Sequence, residues 1–177
     1  MSEGSILVVN AGSSSLKFSL FRLGAADALQ LAVRGQLDGI GTRPRLKVED
    51  DAGNTLDARE LAVTEVREVK DAIALAGAWL RERFADDPLL AVGHRVVHGG
   101  AEYSRPVLVD RAVYDALERL IPLAPLHQPH NLAAIRALRE TRPQLPQVAC
   151  FDTAFHRTHG QLDDLYALPW EYYEAGV

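Results

Sequence analysis

The chain has 177 residues, of which 47% are hydrophobic, and a formal net charge of −5. This is enough for one domain with a buried core, or for one domain and the start of another. The acidic balance argues against a nucleic-acid-binding protein, because such proteins usually carry a basic surface. No apolar run approaches the ~20 residues that cross a bilayer, and the N-terminus lacks a basic signal sequence, so we expect a soluble, cytoplasmic protein that does not bind membranes.

The first third of the chain is predicted to be β-structure. The run SILVVN (5–10) is apolar and β-branched, as in a buried strand. Leu16, Phe18 and Leu20 then alternate with polar residues, which predicts a half-buried second strand and therefore a hairpin. A third strand is predicted over 29–37, and a further hairpin over RLKVED (45–50) and TLDARELAV (55–63).

Helices and strands are predicted to alternate in the rest of the chain. Apolar residues recur at helical spacing over 64–84, and LLAVGHRVVHGG (89–100) is typical of a strand. Asp110 is a candidate N-cap for a helix over 111–121, and Asn131 for one over 132–140; PQVACFD (146–152) is the last strand. This order, β-β-β-α-β-α-β, is that of an α/β ribonuclease-H-like lobe with a mixed sheet flanked by helices.

Polar residues follow three of the predicted strands. Asn10 ends the first strand, the segment 94–100 ends another, and Asp152 follows the last. In open α/β sheets, ligands bind outside the carboxyl ends of the strands. Convergence of these residues at one edge of the sheet would form a cleft.

The turn NAGSSSLK between the first two strands has two interpretations. It can be an ordinary polar turn, since glycine and serine are common there. Alternatively it can hold an anion: Gly12 would let a phosphate approach the backbone, Ser13 and Ser15 would add hydroxyl donors, and Lys17 would add charge. Asn10 would then offer a neutral oxygen to a hydrated metal ion.

The segment GHRVVHGG suggests a small-ligand site. In a strand, Arg95 and Val97 would share one face, while His94, Val96 and His98 would share the other. An arginine beside a valine suits a ligand with an anionic end and a small apolar end, because the guanidinium binds carboxylates and phosphates bidentately. A structural ion pair of Arg95 is the alternative.

Two further segments carry candidate residues. In APLHQPHN, prolines could fix Leu126 and His127 over a cleft, or the loop could simply enter a helix that Asn131 caps, which we prefer for Asn131. In ACFDTAFHRT, Asp152 directly follows an apolar strand. A carboxylate there could hold a metal or orient a reacting group, or it could cap a following helix.

Five segments together resemble the acetate kinases, in the same order and at similar spacing from about Ile6 onward: NAGSSSLKFSLF, HRVVHGG, APLHQPHNL, FDTAFHRT and YALPWEYYE. The resemblance implies a sugar-kinase/Hsp70/actin fold with two lobes around a cleft. It places the first lobe at 1–152 and the start of the second at 153–177, with the remainder absent. It also implies a homodimeric full-length enzyme that reversibly transfers a phosphoryl group from ATP to acetate, giving acetyl phosphate and ADP, with Mg²⁺ or Mn²⁺.

The resemblance also implies roles for individual residues. Asn10 resembles the metal-site asparagine of the family, and the turn resembles its ATP and phosphate site. The family's acetate-binding groups are matched by Arg95, Val97 and Leu126. Its catalytic residues are matched by His127, near the transferred phosphoryl group, and by Asp152. The residues concerned are Asn10, Gly12, Ser13, Ser15, Lys17, Arg95, Val97, Leu126, His127 and Asp152. Gln128 departs from the family, whose members commonly have asparagine at that position.

A carboxylic acid substrate leaves little for a general base to do. With a pKa of roughly 4–5, such an acid is already ionised at neutral pH. We therefore infer that Asp152 orients Mg²⁺ or Arg95 instead of accepting a proton. The family's other active-site groups are expected beyond this chain, so the isolated chain is expected to be inactive. Alternative functions are a kinase of propionate or butyrate on the same scaffold, or a non-catalytic lobe that binds nucleotide or a partner.

Overall fold

One mixed β-sheet organises the chain in the computed structural model, which describes residues 4–158, 160–163 and 165–175. Its eight strands are β1 (Gly4–Ala11), β2 (Ser15–Leu23), β3 (Leu29–Asp38), β4 (Arg45–Asp50), β5 (Thr55–Glu60), β6 (Leu89–Val96), β7 (Val107–Leu108) and β8 (Gln147–Phe151). They lie in the order β5-β4-β3-β2-β1-β6-β8-β7. Neighbours from β5 to β1 are antiparallel, whereas β1, β6 and β8 are parallel to one another.

Four α-helices are described: α1 (Val69–Arg83), α2 (Arg111–Arg119), α3 (Gln128–Thr141) and α4 (Trp170–Glu174). Asp110 caps α2 as predicted, since its carboxylate accepts a hydrogen bond of 2.8 Å from the Val113 N–H. Short 3-10 turns occupy much of the segment between β8 and α4. Among the described residues, no helix is both long enough and apolar enough to cross a membrane.

The main core lies between the sheet and the helices α1 and α3. Alternate residues of β1 (Leu7, Val9 and Ala11) are buried on this face, as a strand with one covered face requires. Trp79 of α1 is also buried, and its indole N–H donates to the Asp57 carboxylate at 2.9 Å, which ties α1 to the β4–β5 hairpin. A second cluster, which includes Leu117 and Ile135, packs α2 and α3 together.

The predicted ribonuclease-H-like order is confirmed. Three antiparallel strands lead through α1 to β6, and α2 and α3 connect β6 to the parallel β8. Strands β4 and β5 extend one side of the sheet, as their hairpin pattern predicted, and the short β7 is added at the other edge. Because β1, β6 and β8 are parallel neighbours, their carboxyl ends share one edge of the sheet.

Two predicted boundaries were wrong in ways that matter for that edge. Strand β6 ends at Val96, and not at residue 100, because the N–H groups of Val97 and His98 donate to side chains of α3 and not to a neighbouring strand. Helix α3 begins at Gln128, so Asn131 lies inside the helix and is not its N-cap. Pro129 does not prevent this early start, because the first turn of a helix has no partner for its N–H groups.

Candidate active site

A polar cluster forms where β1, β6 and β8 end. Arg95 Nε lies 3.0 Å from each carboxylate oxygen of Asp152, and Arg95 Nη2 donates to Oδ2 at 2.6 Å. Arg95 Nη1 also donates to Asn10 Oδ1 at 3.3 Å. The structure therefore brings three of the predicted site residues, Asn10, Arg95 and Asp152, into direct contact at one edge of the sheet.

The Arg95–Asp152 pair is accessible to a ligand. Its side chains are 52% and 40% exposed. The hydrogen bonds that Arg95 donates to Asp152 raise the pKa of Arg95 above its usual value, so the guanidinium is a permanent cation. Ion pairs this exposed contribute little to folding stability, because water screens them. The pair therefore adds little to folding stability and leaves its charged groups open to a ligand.

Lys17 places a second cation on the same face of the sheet. It lies directly opposite Asn10 in the antiparallel β1–β2 pair. Residues in that relationship have Cβ atoms about 5 Å apart on one face. The Lys17 side chain is exposed, so Lys17 and Arg95 flank Asn10 with two positive charges.

The serine turn has backbone groups available for an anion. The Gly12 N–H donates to the Ser15 carbonyl at 2.8 Å, and the Ser14 carbonyl accepts from the Ile40 N–H at 3.0 Å. Within the described ranges, by contrast, no protein acceptor engages the N–H groups of Ser13 and Ser14, and both residues are exposed. Consecutive free N–H groups of this kind form anion-binding concavities.

Gly12 is not required by the fold. Its backbone is outside the left-handed region, and an added Cβ would make only ordinary contacts with Ser15, the nearest atom being Oγ at 3.5 Å. Glycine at this position therefore preserves open space in front of the turn. Gly99, after β6, is different, because a Cβ there would lie 2.6 Å from the Tyr103 carbonyl oxygen.

The loop after β6 is fixed to the end of β8. The Gly99 N–H donates to Thr153 Oγ1 at 3.0 Å, and the Gly100 N–H donates to His98 Nδ1 at 2.8 Å. Thr153 directly follows Asp152, so one short segment holds both the loop and the carboxylate that binds Arg95. Val97, the first residue of this loop, is half-buried.

Leu126 and His127 lie just before α3 and are less tightly placed. Leu126 is 76% exposed, and His127 occupies the N-cap position without a capping hydrogen bond from its side chain. In the part of the chain that the structure describes, no hydrogen bond joins either residue to Arg95. Their assignments to the acetate pocket and to the phosphoryl group stay predictions.

Sequence reasoning missed two buried amides in α3. Gln128 is fully buried and Asn131 is 5% exposed, and both bind backbone groups of the loop after β6. Their spacing was the available signal, since residues three apart in a helix share a face. The helix predicted over 132–140 excludes both residues, so this signal becomes visible only once the helix is known to begin at Gln128.

His94 precedes Arg95 on β6 and is buried on the core side of the sheet. It is 2% exposed, and its Nε2 lies 2.8 Å from the side-chain amide of Gln147 on β8. The amide orientation that satisfies all partners donates N–H to His94 and to the Ile135 carbonyl, and accepts from the Arg139 N–H. Burial lowers the pKa of His94 to about 4, so the ring is neutral at neutral pH and accepts this hydrogen bond.

An apolar groove of about 890 Å³ lies elsewhere, between α1, α3 and the core face of the sheet. Its lining includes Leu7, Phe18, Leu80 and Leu138, together with the buried hydroxyl of Ser5, which has no hydrogen-bond partner within the described ranges. None of the described residues at the strand-end cluster lines this groove. Charge and hydrogen-bonding groups are concentrated at the strand ends, and we place the candidate active site there.

Comparison with known proteins identifies the kind of site. A model of the acetokinase family matches residues 5–177. The chain belongs to the acetokinase family. Its relatives include the acetate kinases of Nitrobacter hamburgensis, 53% identical over 98% of this chain, and Rhizobium meliloti, 52% identical over 97% of it. The chain spans 43% of the length of each of these two relatives.

Solved structures agree with the family assignment. A propionate kinase from Francisella tularensis superposes with a TM-score of 0.82 at 35% identity, and covers 95% of this chain and 42% of its own. The acetate kinase of Porphyromonas gingivalis gives a TM-score of 0.83 at 31% identity, over 97% and 43%. The fold of the described chain is therefore that of the N-terminal part of acetokinase-family enzymes.

Proposed function

We propose that this chain is the N-terminal part of a kinase that reversibly transfers the terminal phosphoryl group of ATP to acetate, giving acetyl phosphate and ADP. Residues 1–152 form the first lobe in this proposal, and 153–177 begin the second. The observation that carries it is the contact of Asn10, Arg95 and Asp152 beside the serine turn. The proposed full-length enzyme is a cytoplasmic homodimer that acts on small molecules.

Arg95 is the proposed acetate-binding group. Its guanidinium is permanently charged and half exposed, and it can bind a carboxylate through two N–H groups. Val97 and Leu126 then form the apolar walls for the methyl group. Acetate is already ionised at neutral pH, so Asp152 has no proton to remove, and its role is to fix the guanidinium in the orientation that receives the substrate.

The serine turn is the proposed phosphate site. The N–H groups of Ser13 and Ser14, the hydroxyls of Ser13 and Ser15, and the Lys17 ammonium face the charged oxygens of the nucleotide. His127 donates a hydrogen bond to the phosphoryl group in transit. In phosphoryl transfer the protein contributes mainly positioning and charge neutralisation, which donors of this kind supply.

A Mg²⁺ or Mn²⁺ ion fits the residues at the strand ends. Mg²⁺ prefers oxygen ligands and commonly binds through one or two carboxylates together with waters and substrate phosphates. Asn10 Oδ1, whose hydrogen bond to Arg95 is a long 3.3 Å, and the partly exposed Asp152 carboxylate supply such oxygens. When bound, the ion neutralises charge on the phosphate oxygens. Within the described ranges no group of three or more His, Cys, Asp or Glu side chains gathers as a metal site, so this proposed site relies on nucleotide and water for its other ligands.

The test is to complete the chain and measure transfer. The 177 residues are fused to the part of the Nitrobacter hamburgensis acetate kinase that follows the matched region, to give what we call the completed chain. Acetyl phosphate formation from ATP and acetate is measured as the acyl hydroxamate. We expect turnover within about tenfold of the intact relative, and none from the 177 residues alone.

A matched fusion controls for the junction. The corresponding part of the Rhizobium meliloti enzyme, which is 52% identical to this chain, is joined to the same C-terminal part at the same junction. An active control with an inactive completed chain would overturn the proposed function and favour a non-catalytic lobe. Full turnover by the 177 residues alone would overturn the proposal that the chain forms only one wall of the cleft.

Propionate is the second candidate substrate. The observation in its favour is the structural similarity to the Francisella propionate kinase, at a TM-score of 0.82. The two acids share the carboxylate and differ by one methylene, which only the apolar walls can distinguish. The ratio of kcat/KM for acetate and propionate in the completed chain decides between them, and butyrate extends the series.

A further inference from the structure

The side chain of Asn131 spans the point where β1 and β6 separate. The parallel ladder between these strands runs as far as Val9 opposite His94. Beyond it, Asn131 Nδ2 donates to the Ala11 carbonyl at 2.7 Å, while Asn131 Oδ1 accepts from the Val97 N–H at 3.0 Å. One buried side-chain amide thus bridges the last residue of β1 and the first residue after β6. It donates to one backbone and accepts from the other, as a backbone peptide group does between paired strands.

The two backbone groups belong to the two halves of the candidate site. Ala11 immediately precedes Gly12 and the serine turn, and Val97 lies two residues after Arg95. We propose that Asn131 is a positioning residue that sets the distance between the phosphate-binding turn and the acetate-binding end of β6. This inference rests on the proposed function, since the two segments need a fixed separation only if they bind the two reacting groups.

Gln128 strengthens the same connection from the first turn of α3. Its Nε2 donates to the His98 carbonyl at 3.0 Å and to the Leu117 carbonyl at 3.3 Å, and its Oε1 accepts from the His98 N–H at 3.3 Å. Gln128 and Asn131 together hold the backbone of two consecutive residues, Val97 and His98. Helix α3 therefore fixes the loop after β6 through side chains that lie away from the ligand-accessible face.

An amide is needed at position 131 because one partner is an acceptor and the other a donor. An aspartate could still accept from the Val97 N–H, but its second oxygen would face the Ala11 carbonyl oxygen. Only a protonated carboxyl could donate there. Burial raises the pKa of such a carboxyl, so the aspartate variant should regain the connection as the pH falls.

The main experiment is the pH dependence of Asn131→Asp in the completed chain. A displacement of about 1 Å between reacting groups can cost about 100-fold in rate. We expect kcat at pH 8 to be 10- to 100-fold below that of the unsubstituted completed chain measured at the same pH, with at least a fivefold recovery of this ratio by pH 6. Asn131→Leu should remain low at both pH values.

A stability control separates positioning from simple loss of packing. Ile135→Val removes one buried methylene one turn along α3 and leaves both hydrogen bonds of Asn131 intact. Its kcat should stay within twofold of the unsubstituted completed chain. A drop like that of Asn131→Leu, or a ratio for Asn131→Asp that does not change with pH, would overturn the positioning role.

Hydrogen exchange in the 177-residue chain tests the connection without catalysis. In Asn131→Leu the Val97 amide should exchange at least tenfold faster. The amide of Val92, which lies on β6 and donates to the Pro146 carbonyl just before β8, should be unchanged. An unaffected Val97 amide would overturn the inference even if the completed chain is active. An inactive unsubstituted completed chain beside an active control fusion would overturn the proposed function and the positioning role with it.

Discussion

Arg95 and Asp152 form a forked ion pair across two neighbouring parallel strands, with three N···O distances of 2.6–3.0 Å. The pair joins the end of β6 to the residue that follows β8, and Asn10 of β1 contacts it from the other side. Both oxygens of this carboxylate accept from the guanidinium, and the side chain is still 40% exposed, so Asp152 can hold Arg95 and also offer an oxygen to the proposed metal ion. This geometry supports the inference that Asp152 orients Arg95, and it leads to a direct test.

Asp152→Asn in the completed chain should impair catalysis without changing its dependence on pH. Asparagine keeps one acceptor oxygen but loses the charge and the second acceptor, so Arg95 is no longer fixed. We expect kcat/KM for acetate to fall at least tenfold, by the same factor at every pH between 5.5 and 8.5. Profiles of kcat and kcat/KM over that range check it.

Asp115→Asn is the matched control for that variant. Asp115 accepts from Arg111 Nε with both oxygens at 2.9 Å, but this pair is an exposed one on α2. Its loss should leave the kinetics unchanged. If the unsubstituted completed chain shows an acidic limb in log kcat that Asp152→Asn abolishes, Asp152 is a general base and the orienting role is wrong.

Gly12→Ala should weaken nucleotide binding while leaving the fold intact. The added methyl makes only ordinary contacts at 3.5 Å or more within the protein, but it occupies the space in front of the serine turn. We expect the KM for ATP in the completed chain to rise at least tenfold, with Tm equal to or slightly above that of the unsubstituted protein, because alanine restricts the unfolded chain.

Gly53→Ala should behave in the opposite way. Gly53 lies in the β4–β5 turn at φ +85°, where alanine is strained although space is open around it. Its Tm should fall while the KM for ATP stays constant. A KM for ATP that is unchanged in Gly12→Ala would refute the proposed phosphate site.

The sequence predicted the order of elements and the convergence of three strand-end residues because both follow from local patterns. Apolar runs located the three strands, and their parallel arrangement in the structure brings Asn10, Arg95 and Asp152 together. The end of β6 and the start of α3 were not predictable in this way. Both depend on tertiary hydrogen bonds between helix side chains and loop backbone, which hydrophobic periodicity does not report.

The roles of the candidate residues divide along the same line. The contact between Arg95 and Asp152 follows from the order of the strands. The position of Leu126 and His127 relative to a substrate depends on the conformation of the segment before α3, where both side chains are exposed. Asn131 shows most clearly what the sequence alone cannot predict, since asparagine is equally suited to cap a helix and to form buried side-chain hydrogen bonds. Only the position of the helix start distinguishes the two.

His94 should make the stability of the chain sensitive to mild acid. Its pKa is about 4 in the folded protein and about 6.5 in the unfolded chain. The unfolded state therefore binds more protons below pH 6.5, and the free energy of unfolding falls as the pH decreases from 6.5 to 4. The loss from this one group is at most about 3 kcal/mol.

Denaturant unfolding of the 177-residue chain between pH 7 and pH 4 measures this effect. His94→Gln should be less stable at pH 7, because it alters a buried contact, but it should lose the part of the pH dependence that belongs to His94. His127→Gln, at an exposed position, should retain the wild-type slope. Equal slopes in the wild type and His94→Gln would show that His94 is not kept neutral by burial.

Val97→Ala should shift the completed chain toward the longer acid. Val97 lies two residues after Arg95, is half-buried, and is held in place through its N–H by Asn131, so a carboxylate on Arg95 would direct its alkyl end toward this side chain. Alanine opens room for one more carbon, and a methylene in an apolar pocket is worth ~1–3 kcal/mol of discrimination. We expect kcat/KM for propionate relative to acetate to rise roughly tenfold, mostly through KM, because the alkyl end contacts ground state and transition state alike.

Val107→Ala is the matched control, since it removes the same two methyl groups from β7 and should leave the ratio unchanged. If Val97→Ala leaves it unchanged as well, Val97 does not line the acyl pocket.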